Sequence, residues 1–238
     1  MSRATWRRPI TDDPRFEVPI YTVAEAARHL GVPESTFRTW SHGYTRSPPS
    51  NSPRIPGFVT THQAPKGHPV IPFVGLVEGM VAAAFRKAGV SLQQIRRALI
   101  ILEEQIGLEH ALASRNLFTD GAHILYDYAQ REGNDELAVV VTGQRVFSGV
   151  VRDYLKRITY ATDDYASRLV LPVTSKFVIE VDPLRNFGRP RFIHGGAPVA
   201  VVLDRFKAGE SMGGVAADFG LEQTDIEDVI RAALPEAA

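Results

Sequence analysis

The side chains of this sequence that are best suited to chemistry lie in one short stretch near the amino terminus: Glu34, Ser35, Thr36, Arg38, Thr39 and His42. An arginine can donate two parallel hydrogen bonds to a guanine edge or hold a phosphate, and serine and threonine hydroxyls suit phosphate oxygens. A surface with these groups can therefore bind DNA. The alternative interpretation is an ordinary helical hairpin with a polar outer face, because such faces carry the same residue types.

Two predicted helices position this stretch. Thr22 can cap the first helix, and Glu25, three residues later, completes a capping box. Gly31 ends that helix, because the left-handed conformation after a helix favours glycine. Pro33 fits the first turn of the second helix, whose apolar residues would face the core. Two short helices joined by a tight glycine turn predict a helix-turn-helix within residues 22–40, with the tip of its second helix directed at the major groove.

The segment that follows the predicted helix-turn-helix, residues 41–72, is rich in proline and serine. Its composition predicts a loop or wing, with a short strand at 55–60. Arg46 and Arg54 in this segment could contact the phosphates of bound DNA and make its affinity depend on salt. A solvated loop would have the same composition, so both interpretations stay open.

Enzyme chemistry has little support in the sequence. The chain has no cysteine, which excludes disulfides and thiolate sites, and its seven histidines are scattered without metal-ligand spacing. Adjacent acidic residues such as Asp163 and Asp164 are typical of solvated faces, and no phosphate-binding or nucleophile motif is present. We therefore predict a protein that is not an enzyme, with no catalytic residue, no metal and no cofactor.

The distribution of charge is more informative than its sum. Lys and Arg balance Asp and Glu at 27 each, so the formal net charge is zero. Residues 1–68, however, hold nine basic against five acidic residues, whereas 183–238 hold six against eight. A basic amino-terminal part is what a chain that meets phosphates there would show. The absence of a long apolar run or a secretory signal predicts a cytoplasmic protein.

The remaining sequence predicts a mainly α protein with a minor β component. We expect a helix at 73–88, an amphipathic helix at 92–106, a helix at 147–158 and three carboxy-terminal helices at 199–208, 212–218 and 224–233. Strands are expected at 124–128, 137–141, 169–173 and 177–181. The predicted organisation is a flexible arm at 1–18, a DNA-binding domain at 19–114, an α+β middle region at 115–182, and a carboxy-terminal module at 183–238 that begins with a linker. The apolar stripe of the helix at 92–106 suits a core better than a dimer surface.

Two stretches resemble known modules. Tyr21–Trp40 and Phe85–Ala98 resemble the helix-turn-helix and the following helices of MerR-like proteins, in the same order. Val181–Leu234 resembles a homeodomain-like antitoxin module of three helices, with Asp182-Pro183 and the run Ala208–Ser211 at the corresponding places. The resemblance implies a MerR-like winged DNA-binding domain and a trihelical carboxy-terminal domain.

Together the two stretches resemble the larger VapB-type antitoxins, which are paired with PIN-domain ribonuclease toxins. This resemblance implies two activities: binding of operator DNA, which represses the protein's own operon, and binding of the toxin, which blocks an acidic, metal-dependent active site. It also makes a homodimer or a hetero-oligomer with the toxin an expectation. Arg231 on the last predicted helix could contact the toxin, although we favour a solvated helix charge at this position.

Two other functions stay open at this point. The chain could be a stand-alone MerR-like transcriptional regulator, with a small-molecule effector in the middle region. The tyrosines that could line such a pocket are Tyr126, Tyr128, Tyr154, Tyr160 and Tyr165. It could also be a scaffold that sequesters a toxin without binding DNA.

Overall fold

The computed structural model describes residues 12–45, 54–118, 148–174, 176 and 178–233. The helices are α1 (Pro14–Glu17), α2 (Val23–Leu30), α3 (Glu34–His42), α4 (Phe73–Lys87), α5 (Leu92–Ile106), α6 (Ser148–Leu155), α7 (Val199–Lys207), α8 (Met212–Phe219) and α9 (Gln223–Ala233). The strands are β1 (Pro19–Tyr21), β2 (Tyr44–Thr45), β3 (Arg54–Ile55), β4 (Ile71–Pro72), β5 (Ile158–Tyr160), β6 (Ala166–Val170), β7 (Ile179–Val181) and β8 (Arg191–Phe192). Short 3-10 helices lie at Ala111–Ala113, Arg115–Phe118 and Asn186–Gly188. The described chain is thus mostly helical with small antiparallel sheets, as predicted.

Helices α2 and α3 form the predicted helix-turn-helix, and hydrogen bonds between neighbouring residues specify its ends. The hydroxyl of Thr22 accepts a hydrogen bond from the Glu25 amide at 3.2 Å, and the Glu25 carboxylate accepts one from the Thr22 amide at 2.8 Å. This reciprocal capping box satisfies two amides that the helix itself leaves unpaired. Gly31 then takes a left-handed φ of 63°, which ends α2 and starts the turn into α3.

Helix α4 is the centre of the fold, since every residue from Phe73 to Phe85 is buried. It supports the helix-turn-helix through a close approach at Gly79. A Cβ atom at Gly79 would lie 3.0 Å from Leu30 Cδ1 and even closer to the ring of Phe37. The helix-turn-helix therefore rests on a helix surface that only glycine leaves open.

The apolar stripe of α5 packs into the core. Ile95, Ala98, Ile101 and Leu102 are all buried, whereas Ile100 on the other side of the helix is 54% exposed. These positions support a core role for the stripe over a dimer surface. The buried side chains have almost no accessible surface that a second chain could contact.

The described part of the predicted flexible arm at 1–18 is anchored to the protein through Phe16 and Arg15, so the prediction is wrong for this part. Phe16 is 4% exposed and its ring lies 5.1 Å from the ring of His110 and 5.2 Å from that of Tyr165. Arg15 forms an ion pair with Asp163. The segment shows no hydrophobic period because one aromatic side chain supplies the anchor in a helix of a single turn. The remaining residues of the predicted arm lie outside the described part.

Strands β5, β6, β7 and β8 form one antiparallel sheet in that order. Its last strand lies beyond residue 183, so the sheet crosses the predicted boundary between the middle and carboxy-terminal regions. The predicted linker at 183–192 is a turn followed by β8. Strand β8 is held against β7 because Phe192 is buried and Arg191 pairs with Glu180 at 2.5 Å. The predicted strands at 124–128 and 137–141 lie outside the described residues.

The three carboxy-terminal helices α7, α8 and α9 agree with the helices that the sequence predicts. Ser211 caps α8 by accepting a hydrogen bond from the Gly214 amide at 3.1 Å, and Gly220 ends it with a left-handed φ of 62°. Val202, Val215 and Ile226, one from each helix, are fully buried. One small core thus holds the three helices together.

Candidate nucleic-acid interface

The polar face of α3 is directed to solvent and its apolar face into the core. Glu34, Ser35 and Arg38 are exposed, while Phe37 and Trp40 are buried. Thr36 and Thr39 are partly exposed, and His42 is exposed at the end of the helix. The structure therefore brings together six of the predicted site residues on one helix surface.

Some of these side chains are engaged within α3. Arg38 forms an ion pair with Glu34, one helical turn earlier, with side-chain exposures of 58% and 49%. Thr39 Oγ1 donates a hydrogen bond to the Ser35 carbonyl oxygen at 2.9 Å. An exposed ion pair of this kind contributes little to stability, so a phosphate can replace Glu34 as the partner of Arg38 at small cost.

Strands β2 and β3 form an antiparallel hairpin directly after α3, with Tyr44 opposite Ile55 and Thr45 opposite Arg54. This hairpin corresponds to the predicted wing, although its second strand ends at Ile55 instead of continuing to residue 60. The residues between the two strands, which include Arg46, lie outside the described part of the chain. The described wing therefore contributes Arg54 to the candidate interface.

Backbone contacts hold the base of this hairpin against the end of α3. The amides of Phe58 and Val59 both donate to the Trp40 carbonyl oxygen, at 2.8 and 3.1 Å. A Cβ atom at Gly57 would overlap the carbonyl group of Ser41, so the two segments touch backbone to backbone. The wing and α3 are thus one structural unit.

Arg54 is the side chain that links the wing to α3. Its Nη2 donates a hydrogen bond to the His42 carbonyl oxygen at 2.8 Å, while the residue remains exposed. Burial lowers the pKa of His42, and the positive charges of Arg38 and Arg54 lower it further. The lowered pKa favours the neutral form of His42 beside the two arginines.

Arg96 supports the wing from below and was not identified by the sequence patterns. Its guanidinium lies over the Phe58 ring at 5.0 Å from the centroid, and its Nη1 donates to the Pro56 carbonyl oxygen. The only sequence signal was the basic pair Arg96-Arg97 in α5, and this pair does not indicate a contact with Pro56, forty residues earlier. Arg96 thus fixes the position of the wing rather than presenting a charge.

The surface of α9 has the opposite charge. Acidic residues line the helix and the turn before it: Glu222, Asp225, Glu227 and Asp228. Arg231 is exposed, but it pairs within its own helix with Glu227 at 3.3 Å and Asp228 at 3.4 Å. These contacts match the solvated-charge interpretation of Arg231. Lys176 also pairs with Asp225 at 3.4 Å and with Asp228 at 3.7 Å. Four carboxylates thus meet two basic side chains, and this surface keeps a net negative charge.

The tyrosines considered for an effector pocket are distributed over different contacts. Tyr165 packs edge-on against Phe16, and Lys87 lies over the Tyr154 ring at 5.4 Å. Tyr160 is partly buried, and its hydroxyl has no hydrogen-bond partner among the described atoms. Tyr126 and Tyr128 lie outside the described residues. The three described tyrosines thus have different neighbours, and the effector pocket stays a prediction.

Among the described residues, no group of three or more His, Asp or Glu side chains is arranged to hold a metal ion. Within the same part of the chain, no helix has the length and apolar character needed to cross a membrane.

Comparison with known proteins connects this geometry to named families. Residues 19–99 match the family described as "Putative DNA-binding HTH domain", and residues 179–232 match the family described as "Protein of unknown function (DUF433)". The first match spans α2, α3, the wing, α4 and about half of α5. The second spans β7, β8 and the three carboxy-terminal helices.

Two mycobacterial proteins and one crystal structure resemble the whole chain. The Mycobacterium tuberculosis protein named "Putative antitoxin VapB45" is 42% identical over 229 residues, which covers 92% of this chain and 95% of that protein. Another from the same organism, named "Uncharacterized protein Rv2308", is 25% identical over 225 residues, covering 89% and 88%. The crystal structure of Rv2018 from Mycobacterium tuberculosis superposes with a TM-score of 0.75 at 37% identity, covering 91% of this chain and 99% of that one. Because it is 42% identical to VapB45 over 92% of its length, the chain belongs to the family of VapB45-type antitoxins.

Proposed function

We propose that this protein is the antitoxin of a type II toxin-antitoxin system, which binds operator DNA to repress its own operon and neutralises a cognate PIN-domain ribonuclease toxin. The observation that carries the proposal is the exposed surface of Arg38, His42 and Arg54 on a helix-turn-helix and its wing. The name of the relative that is 42% identical supports the antitoxin part. In this proposal the chain acts by binding, without catalysis.

Electrostatics assign DNA binding to the amino-terminal module. The positive charges of Arg38 on α3 and Arg54 on the wing both act on His42. On α9 and the turn before it, four carboxylates outnumber the two basic side chains that pair with them, Lys176 and Arg231. Phosphates repel carboxylates, and DNA affinity comes largely from basic contacts. We therefore assign operator binding to the MerR-like winged unit and leave the homeodomain-like carboxy-terminal module for protein contacts.

Dimerisation belongs to the same proposal. Two helix-turn-helix units related by a two-fold axis read two half-sites, which multiplies the affinity and matches a palindromic operator. The dimer would place two copies of α3 in successive major grooves, about 34 Å apart. A hetero-oligomer with the toxin fits the same arrangement.

Binding to a fragment of the operon's own promoter tests the DNA part. Arg38→Ala and Arg54→Ala should each weaken binding several-fold and reduce the slope of log affinity against log salt concentration by about one. Arg231→Ala is the matched control, because it removes an exposed arginine from the acidic surface and should leave both quantities unchanged. Equal behaviour of all three variants would contradict the assignment of the interface.

Co-expression with the product of the neighbouring gene tests the antitoxin part. If the proposal is correct, expression of the neighbour alone arrests growth, this chain restores it, and the two proteins co-purify. Arg38→Ala should still restore growth, since the DNA surface is separate from the toxin contact. A neighbour that is harmless, or that remains toxic in the presence of this chain, would contradict the antitoxin role.

A further inference from the structure

The turn between β7 and β8 presents two large apolar side chains to solvent. Leu184 is 78% exposed and Phe187 is 88% exposed, the highest values among the large hydrophobic residues of the described chain. We call the side chains of Leu184 and Phe187 the apolar tip. Exposed aromatic and aliphatic side chains grouped at one place are typical of contact sites with other proteins.

Hydrogen bonds within the turn hold the apolar tip in one conformation. The carboxylate of Asp182 accepts a hydrogen bond from the Leu184 amide at 2.9 Å, and its carbonyl accepts one from the Arg185 amide at 3.0 Å. The Gly188 amide donates to the Arg185 carbonyl oxygen, also at 3.0 Å. A segment ordered in this way loses little conformational entropy when it binds.

The backbone of the turn directs Phe187 away from the protein. Asn186 and Phe187 have φ values of 48° and 52°, in the left-handed region that side chains rarely adopt, and Gly188 follows at 71°. Such a conformation persists where the surroundings hold it. Here the Tyr21 hydroxyl donates to the Gly188 carbonyl oxygen, and the Gly188 backbone packs against the Ile20 side chain, since a Cβ atom there would lie 2.6 Å from Ile20 Cδ1.

The apolar tip is bordered by positive charge. Arg185 and Arg189 are both exposed. Arg185 Nε lies 3.6 Å from the carboxylate of Asp182, and the positive charge of Arg189 acts on Glu25. A partner that receives the apolar side chains must therefore also accommodate guanidinium groups. An apolar pocket with carboxylates at its rim meets both requirements.

We propose that the apolar tip anchors the toxin, by inserting Phe187 and Leu184 into an apolar pocket with an acidic rim on that protein. The inference rests on the proposed function, since the toxin is the partner. A second copy of this chain fits less well. In a tip-to-tip contact of two copies the arginines would face each other, and two small convex tips bury much less than a stable dimer needs.

The test uses the full chain and the purified product of the neighbouring gene. Phe187→Gly removes the ring and suits the left-handed backbone, and Leu184→Ser removes the second apolar group. Each should weaken the complex by about tenfold or more, as expected for a central anchor. Thermal stability and promoter affinity should match the wild type. Ile100→Ala, which shortens an exposed apolar side chain on α5, is the control and should bind like the wild type.

Arg185→Gln tests the charge requirement. It should weaken the complex less than Phe187→Gly does. The weakening should disappear at high salt, because salt screens the attraction between the exposed Arg185 and carboxylates on the partner.

The outcomes separate the two proposals. A wild-type complex with unchanged affinity in Phe187→Gly and Leu184→Ser would overturn the anchor and leave the antitoxin function standing. Absence of any complex with the wild-type chain would overturn both. A change in the sedimentation of this chain alone, from dimer to monomer in Phe187→Gly, would identify a second copy as the occupant and overturn the toxin as partner.

Discussion

The hydroxyl of Tyr21 donates a hydrogen bond to the carbonyl oxygen of Gly188, which lies 167 residues later in the chain. Tyr21 directly precedes the cap of α2, and Gly188 closes the turn that carries the apolar tip. The contact is buried, and burial raises the pKa of Tyr21, so the hydroxyl keeps its proton. This hydrogen bond therefore joins the helix-turn-helix to the carboxy-terminal module.

Replacing Tyr21 with Phe tests the importance of that contact. The variant leaves the Gly188 carbonyl oxygen without its partner, which should lower the free energy of unfolding by about 1–2 kcal/mol. For a chain of this size the melting temperature should fall by roughly 2–8 °C. Tyr44→Phe, at a tyrosine that is 36% exposed, should leave the melting temperature unchanged. An unaltered melting temperature in Tyr21→Phe would show that the hydrogen bond contributes nothing to stability.

The contact between the wing and α3 should be sensitive to a single methyl group. In Gly57→Ala the new Cβ would overlap the Ser41 carbonyl group, so the hairpin must move away from the end of α3. We expect promoter affinity to fall by about tenfold or more, because Arg54 moves with the wing. Far-ultraviolet circular dichroism should stay close to that of the wild type, since the core lies elsewhere. Full promoter affinity in this variant would mean that the wing is not part of the interface.

The close packing of α4 against the helix-turn-helix predicts a larger effect on stability. Gly79→Ala places a Cβ against Phe37 and Leu30, and overpacking of this kind costs about 1–3 kcal/mol. Chemical denaturation would measure the loss. The control is Gly214→Ala, in α8, where the glycine is exposed and alanine is a better helix former. The prediction fails if Gly79→Ala is as stable as the wild type.

The lowered pKa of His29 should make the stability of the fold depend on pH. Burial lowers its pKa to about 4, and the positive charge of Arg28 contributes in the same direction. The unfolded chain has an ordinary histidine with a pKa near 6.5, so it binds a proton between pH 6.5 and 4 that the folded chain does not. The free energy of unfolding should therefore be highest above pH 6.5 and fall by about 2–3 kcal/mol as the pH decreases to 4.

His29→Gln should remove this part of the acid sensitivity. Denaturation curves measured between pH 4 and 8 would show a smaller loss of stability in the variant than in the wild type. His194→Gln, at an exposed histidine, is the control and should retain the wild-type profile. Parallel profiles for wild type and His29→Gln would contradict the assignment of the effect to this side chain.

Elements with local signals could be predicted from the sequence alone. The capping box of Thr22 and Glu25 and the left-handed Gly31 specify the helix-turn-helix within ten residues. The helical spacing of apolar residues likewise predicted the three carboxy-terminal helices. In each case the interacting groups are three or four residues apart, so the chain cannot place them far from one another.

Contacts between distant segments came only from the tertiary structure. Nothing in the local pattern indicates that Arg15 pairs with Asp163 or that Tyr21 holds Gly188, because the partners are separated by 148 and 167 residues. The predicted domain boundary at residue 183 separates β8 from the other strands of its sheet. The local pattern shows that a segment can form a strand, but it does not identify the partner strand. The sequence alone indicated the helices that have local apolar spacing, but not α1, and it showed where positive charge lies along the chain. Tertiary packing decided which of them meet, how the wing is held against α3, and that Phe187 is directed to solvent.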